Sequence, residues 1–277
     1  MRSVAEALRW AQAEGIDRLD AQLLLAHVLA RPRAWLIAHD DAPLEGSQRQ
    51  QAAALLRRRA DGVPLAHLVG EKAFHALVLQ VTPDVLVPRP DTEVLVDWAL
   101  ELLPSLGTRP RVLDLGTGSG AIALAIALAH PASAVSAVDA SSAALAVARG
   151  NGARLGLAVE WLAGDWFEPV RGRRFELIVA NPPYVAEGDP HLAALRHEPR
   201  AALVAGADGL DDLRRIAAAS STRLADGGWL LLEHGHEQAD AVRKMLREQG
   251  LCDVATRRDL AGLPRCSGGR ATASPSR

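Results

Sequence analysis

Apolar and polar positions follow two different rhythms along this chain. From residue 1 to about 70 the period is helical. Leu8, Ala11, Ile16 and Leu19 lead into DAQLLLAHVLA (20–30), where Asp20 is placed to cap a helix. A second long segment, GSQRQQAAALLRRRADG (46–62), offers Ser47 as an N-cap and Gly62 as a stop. No strand alternation occurs before Phe74, so the pattern predicts a small helical bundle. Over 71–90 the rhythm changes. EKAFHALVLQV alternates and predicts a hairpin, and prolines at 83, 88 and 90 predict a stiff, extended segment. Helical spacing returns at Thr92–Leu103.

From 111 onward strands, glycine-rich turns and helices alternate. RVLDL (111–115), SAVSAVD (133–139), AVEWLAGD (158–165), FELIVAN (175–181) and GGWLLLEHG (227–235) read as strands. Ala121–Ala129, SSAALAVARGNGARLG and residues 209–225 read as helices. The predicted fold class is α/β: a Rossmann-like, doubly wound, mostly parallel sheet covered on both faces, with a small N-terminal helical-bundle domain. The expected divisions are a helical domain at 1–70, a hairpin and Pro-rich linker at 71–90, and the α/β domain at 91–277. The tail SGGRATASPSR (267–277) is rich in small polar residues, and its last residues are expected to be disordered.

Composition narrows the function. The chain has 277 residues, 49% of them hydrophobic, enough for one medium domain and a smaller one. With 31 basic and 33 acidic residues the formal net charge is −2, without the basic excess that gripping a long nucleic acid requires. Arg57, Arg58 and Arg59 form a local cluster that reads as a solvated helix face. Cys252 and Cys266 have neither a metal-ligand nor a disulfide-framework spacing, so no metal is expected. No 18-residue apolar stretch is free of charge or proline, and a cytoplasmic protein with no membrane association is expected.

The first chemical motif is VLDLGTGSGAIA (112–123). A strand ends, Gly116, Gly118 and Gly120 alternate with Thr117 and Ser119, and a helix begins. Without a Cβ, glycine lets backbone approach a ligand closely. In open parallel sheets ligands bind beyond the carboxyl ends of strands, so Gly116–Gly120 should floor a nucleotide-like pocket. Gly116, Gly118 and Ala121 also fit the dinucleotide pattern G-x-G-x-x-A. Three acids favour S-adenosylmethionine. Asp114, two residues before the first glycine, can serve a cationic methionine group. Asp139, ending the second strand, can accept both ribose hydroxyls. In GDWF (164–167), Asp165 can bond an adenine amine and Trp166 can pack on its ring.

The second motif, Asn181-Pro182-Pro183-Tyr184, ends the fourth strand at the mouth of the same pocket. The prolines fix φ and remove two donors, so the carbonyls of Asn181 and Pro182 are presented rigidly. With the Asn181 side-chain oxygen they can hold both hydrogens of a planar –NH₂, while Tyr184 supplies a flat face. Such a nitrogen is a poor nucleophile because its lone pair is delocalised, and orientation can supply up to about 7–11 kcal/mol in the best systems. Adenine, guanine and glutamine nitrogens all fit this motif. Asn181, Pro182 and Tyr184 are the candidate catalytic residues, and all four motif residues are candidate substrate contacts.

Beyond these motifs the chain resembles the peptide chain release factor glutamine methyltransferases, the HemK/PrmC family. The resemblance runs through PLAHLVGEKAFHALVLQVTPDVLVPRPDTE (64–93), DLGTGSGAIA, GDWF, NPPYV, HEPRAALVAGADGLDDLRRI (197–216), LLEHGHEQ (231–238) and DLAGLPRCSGGR (259–270). It implies a class I methyltransferase-type fold, S-adenosylmethionine as cofactor, and N5-methylation of the glutamine in the Gly-Gly-Gln tip of class I peptide chain release factors. No stable nucleic-acid binding is expected. By the resemblance, cofactor contacts fall on Gly116–Gly120, Asp139, Trp166 and Asn181, and the substrate glutamine on Asn181–Tyr184. The alternatives are a glutamine methyltransferase of a ribosomal protein, which shares NPPY, and an adenine or guanine amino-methyltransferase with Tyr184 stacked on a flipped base. The family's usual LEIG reads LEHG here, and His234 reads as structural.

Overall fold

A computed structural model describes residues 1–272. The chain divides into two compact units, Met1–Glu71 and a second beginning at Lys72.

The first unit comprises helices α1 (Val4–Ala13), α2 (Arg18–Leu29), α3 (Arg33–Ala38), α4 (Gly46–Ala60) and α5 (Leu65–Val69). Val4, Leu24, Leu25, Leu36 and Leu56 form its apolar core. Two caps differ from expectation. Helix α2 is capped by Asp17, whose Oδ1 accepts the Leu19 N–H at 2.7 Å. Asp20 lies inside the helix and pairs with Arg59 at 2.7 Å, which also gives one member of the arginine cluster a structural role. Helix α4 takes Glu45 as its N-cap, so Ser47 is already helical.

In the second unit, β1 (Glu71–Phe74) and β2 (Leu77–Gln80) form the expected hairpin, turning through His75 at φ 50°. Phe74, Leu77 and Leu79 are buried in this unit's core, so the hairpin belongs to it and does not act as a free linker. The remaining elements are α6 (Glu93–Leu102), β3 (Arg111–Leu115), α7 (Ala121–Ala129), β4 (Ala134–Asp139), α8 (Ser142–Leu155), β5 (Glu160–Ala163), β6 (Phe175–Ala180), α9 (Asp211–Ser220), β7 (Leu224–Glu233), α10 (Ala239–Glu248), β8 (Cys252–Arg258) and β9 (Pro264–Arg270). The large sheet has seven strands in the order β5-β4-β3-β6-β7-β9-β8. Pairing is parallel from β5 to β7 and antiparallel at β9 and β8.

Both faces of this sheet are buried, which explains the near-continuous apolar runs. Successive residues alternate between two cores. Val112, Leu177, Val179 and Leu231 join α6 and α7 on one side. Leu113, Leu115, Ile178, Leu230 and Leu232 join α9 and α10 on the other. Most strand ends shift by a residue or two; the largest change is that α9 stops at Ser220 and β7 already starts at Leu224, where residues 224 and 225 were expected to be helical. A register shift between Phe175 and Leu177 lets β7 extend past its glycine pair. The first residues of the Ser/Gly-rich tail complete β9, where Ser267, Gly268 and Gly269 are buried. Residues 273–277, the end of that tail, lie outside the described residues.

Candidate active site

Strand order reverses between β3 and β6, and a ligand crevice is expected at such a switch point. The register makes the crevice level. Leu115 is paired with Val138 on one side and Ala180 on the other. The next residues, Gly116, Asp139 and Asn181, therefore emerge side by side. All three line one cavity of about 360 Å³, together with Thr117, Ser119, Asp165 and Trp166.

The glycine loop is stitched to the end of β4. The N–H groups of Gly116 and Thr117 both donate to the Val138 carbonyl, at 2.9 and 3.0 Å. Gly118 N–H donates to Asp139 Oδ2 at 2.8 Å, and Ser141 N–H donates to Asp139 Oδ1 at 2.8 Å. The cap of α8 is Ser141. Asp139 is thus free of capping duty, and each oxygen keeps a second lone pair for a ligand. From behind, buried Asn151 donates to the carbonyls of Gln80 and Ser119, at 2.9 and 3.0 Å, tying the hairpin to the loop.

Asp114 faces away from the cavity. It is fully buried, and its Oδ2 accepts the Thr117 hydroxyl at 2.6 Å and the Ala123 N–H at 3.2 Å. Burial pushes its carboxyl up to about 7. It braces the loop and the start of α7, while Oδ1 has no partner. Asp165 lines the cavity but is ion-paired with Arg215, which also reaches Asp212 at 3.4 Å. Trp166 has φ 43°, a left-handed conformation that a bulky residue adopts only under constraint. Burial raises the Asp212 carboxyl, against the Arg215 charge and the Trp166 hydrogen bond, which lower it.

Asn181 belongs to two cavities. A second one, of about 250 Å³, is lined by Asn181, Pro182, Tyr184, Arg89, Leu195 and Leu203 among others. Pro183 faces the first. Asn181 Nδ2 donates to the Thr92 hydroxyl at 3.1 Å. The Tyr184 hydroxyl donates to Glu233 Oε1 at 3.2 Å. Burial pushes the Glu233 carboxyl up to about 7, opposed by the Thr92 and Tyr184 hydroxyls and by Arg265. Burial and the Glu233 charge raise the Tyr184 phenol well above its ordinary value, so it remains a donor.

Sequence reasoning missed the residues that hold this turn. Gln238 Nε2 donates to the Tyr184 carbonyl at 3.0 Å. Gly209 passes so close that a Cβ there would lie 2.3 Å from the same carbonyl oxygen, which no side chain tolerates. Glu198, nearly fully buried, accepts the Val87 N–H at 2.9 Å and pairs with Arg89. Arg265 bridges Asp91 at 3.1 Å and Asp259 at 3.0 Å. VPRPDTE, HEPRAAL, ADGLD, LLEHGHEQ and DLAGLPR thus converge on one turn, and that convergence is the physical content of those motifs. His234 is structural, as expected. Its Nδ1–H donates to the Gly235 carbonyl at 2.8 Å, its Nε2 meets Ser267 Oγ at 2.8 Å, and burial lowers its pKa and keeps it neutral.

The residues fit S-adenosylmethionine. The glycine cradle is one that side chains would fill: a Cβ on Gly116 would meet the Trp166 ring at 3.3 Å. Asp139 supplies carboxylate acceptors of the kind ribose hydroxyls need, and Ile122, Val138 and Ala144 give apolar walls.

Residues 2–70 match the PrmC N-terminal domain and residues 92–207 match the methyltransferase small domain. A release factor glutamine methyltransferase of Bordetella pertussis is 52% identical over 258 residues, spanning 92% of this chain and 95% of that protein. One from Xylella fastidiosa is 48% identical over 267 residues, spanning 95% and 97%. The crystal structure of a methyltransferase from Pyrococcus furiosus shares the fold at TM-score 0.54 and 20% identity, covering 82% of this chain and 100% of that one. The chain belongs to the release factor glutamine methyltransferase family.

Proposed function

We propose that this protein methylates the N5 side-chain amide of the glutamine in the Gly-Gly-Gln motif of class I peptide chain release factors, using S-adenosylmethionine. The observation that carries the reading is the position of Asn181, the one N-P-P-Y residue lining both the cofactor-type cavity and the second cavity. Leu86, Arg89 and Ala202 line both cavities as well, so the two adjoin where Asn181 stands.

When bound, S-adenosylmethionine supplies an electrophilic sulfonium methyl. The chain's own residues then have a positioning task. Asn181 Oδ1 and the Pro182 carbonyl accept the two amide hydrogens, aiming the nitrogen at the first cavity. The Tyr184 ring packs on the amide plane. These oxygens also stabilise the positive charge that grows on nitrogen as the C–N bond forms. The methyl–sulfur bond would break as the new bond forms, with the neutral thioether as leaving group, and one amide proton then passes to water, so no strong base is needed beforehand. Gly116–Gly120, Asp139, Asp165 and Trp166 hold the cofactor, and Asp114 supports them through Thr117. The helical unit docks the release factor, and the protein works in the cytoplasm. No helix among the described residues is long and apolar enough to cross a membrane.

The test is transfer of a labelled methyl to a Gly-Gly-Gln peptide, compared with the same peptide carrying Gly-Gly-Ala. Label on the first alone supports the reading. Equal label on both, or none on either, contradicts it.

A further inference from the structure

The N-P-P-Y turn is held by two buried polar side chains from distant parts of the chain, one of which, Thr92, also reaches the edge of the first cavity. Thr92 is 4% exposed and closes the short 3₁₀ turn Pro90–Thr92 before α6. Its hydroxyl accepts from Asn181 Nδ2 at 3.1 Å. The amide nitrogen can only donate and the amide oxygen can only accept. With the Thr92 proton directed at Glu233, this bond sets which way round the Asn181 amide lies and leaves Oδ1 for another donor.

Glu233 is 1% exposed and ends β7. It accepts the Tyr184 hydroxyl through Oε1, while Oε2 is buried without a hydrogen-bond partner. Thr92, having accepted from Asn181, still has its own proton to give, and Glu233 is the carboxyl its hydroxyl acts on. The Thr92 end is fixed in turn, because the preceding Asp91 is paired with Arg265 at 3.1 Å.

We propose that Thr92 and Glu233 are positioning residues for methyl transfer. One buried carboxyl, acting through the Thr92 hydroxyl on one side and the Tyr184 hydroxyl on the other, sets both ends of the N-P-P-Y turn against the substrate amide. Neither residue need touch the glutamine. The proposal rests on the roles given above to Asn181 and Tyr184.

The experiment compares Thr92→Val, Thr92→Ser, Tyr184→Phe and the Thr92→Val/Tyr184→Phe double variant with wild type. Single-turnover rate on a Gly-Gly-Gln peptide, Kd for S-adenosylmethionine and melting temperature are measured for each. Valine keeps the shape of threonine and removes the hydroxyl. Its rate should fall by about tenfold to a hundredfold, the scale of a small misplacement of reacting groups, with the Kd changed by less than about threefold. Thr92→Ser, which keeps the hydroxyl, should recover most of the rate. The double variant should lose less than the product of the single losses, because both hydroxyls act on one carboxyl. A Thr92→Val rate equal to wild type, a Thr92→Ser loss as large as that of valine, or strictly multiplicative losses would each overturn the proposal. No transfer by wild type would overturn the reading beneath it, a result the variants cannot mimic.

Discussion

The Trp166 ring lies against Gly116 so closely that a Cβ on residue 116 would sit 3.3 Å from its Cζ3 atom. Gly116 also has φ 69°, where any side chain is strained. The two residues are adjacent parts of the proposed cofactor cradle. Gly116→Ala should weaken S-adenosylmethionine binding by about tenfold or more, by backbone strain and by displacing the Trp166 ring, at a folding cost of about 1 kcal/mol or somewhat more. Calorimetric titration checks this. Affinity equal to wild type would remove Gly116 from the cradle.

Asn181 faces both cavities, so its loss should separate chemistry from cofactor binding. Asn181→Ala should abolish measurable turnover while leaving the cofactor Kd within about tenfold of wild type. The allowance covers a contact between Asn181 and the cofactor itself. Near-normal turnover would refute the assigned role.

The helical unit has its own core, and the residues lining both cavities described above belong to the second unit. If it docks the protein partner, deleting residues 1–70 should raise KM for an intact release factor far more than for a short glutamine peptide. The two substrates assayed in parallel decide it. Equal changes would mean the unit serves folding only.

Asp114 gives a pH signature. Burial raises its carboxyl to about 7 in the folded chain, against about 4 when unfolded. Between those values the folded state holds the proton and the unfolded state does not. Its contribution to stability is therefore greatest below the unfolded value, falls as pH rises through this window, and is constant above it. Asp114→Asn removes the titration. Denaturant unfolding of the cofactor-free protein should show wild type losing ground to the variant as pH rises from about 4 to about 7. Parallel stability curves would show that Asp114 ionises normally.

Much of the fold was legible because the physics is local. RVLDL and Ala121–Ala129 keep their expected bounds, since a strand buried on both faces is an apolar run and the glycines mark its end. The positions of Gly116, Asp139 and Asn181 at three strand ends were legible for the same reason. Two helix caps were not. DRLD places two acids three residues apart, and only the fold shows that Asp20 is taken by Arg59 while Asp17 caps. Thr92, Gly209, Glu233, Gln238 and Arg265 were illegible as a set, since they meet around Tyr184 and Asn181 from segments far apart in the chain. Motif resemblance marked those segments without saying that they touch. Strand β9 was missed because its small residues carry no β signal and are buried by their neighbours.

The central claim is the choice of substrate. Purified release factor, large-subunit ribosomal protein and bulk RNA should be offered side by side to the enzyme with radiolabelled S-adenosylmethionine. The account predicts label confined to the release factor and lost when the glutamine of its Gly-Gly-Gln motif is replaced. Label in the RNA or the ribosomal protein would contradict it, leaving the fold and the cofactor in place and the substrate wrong.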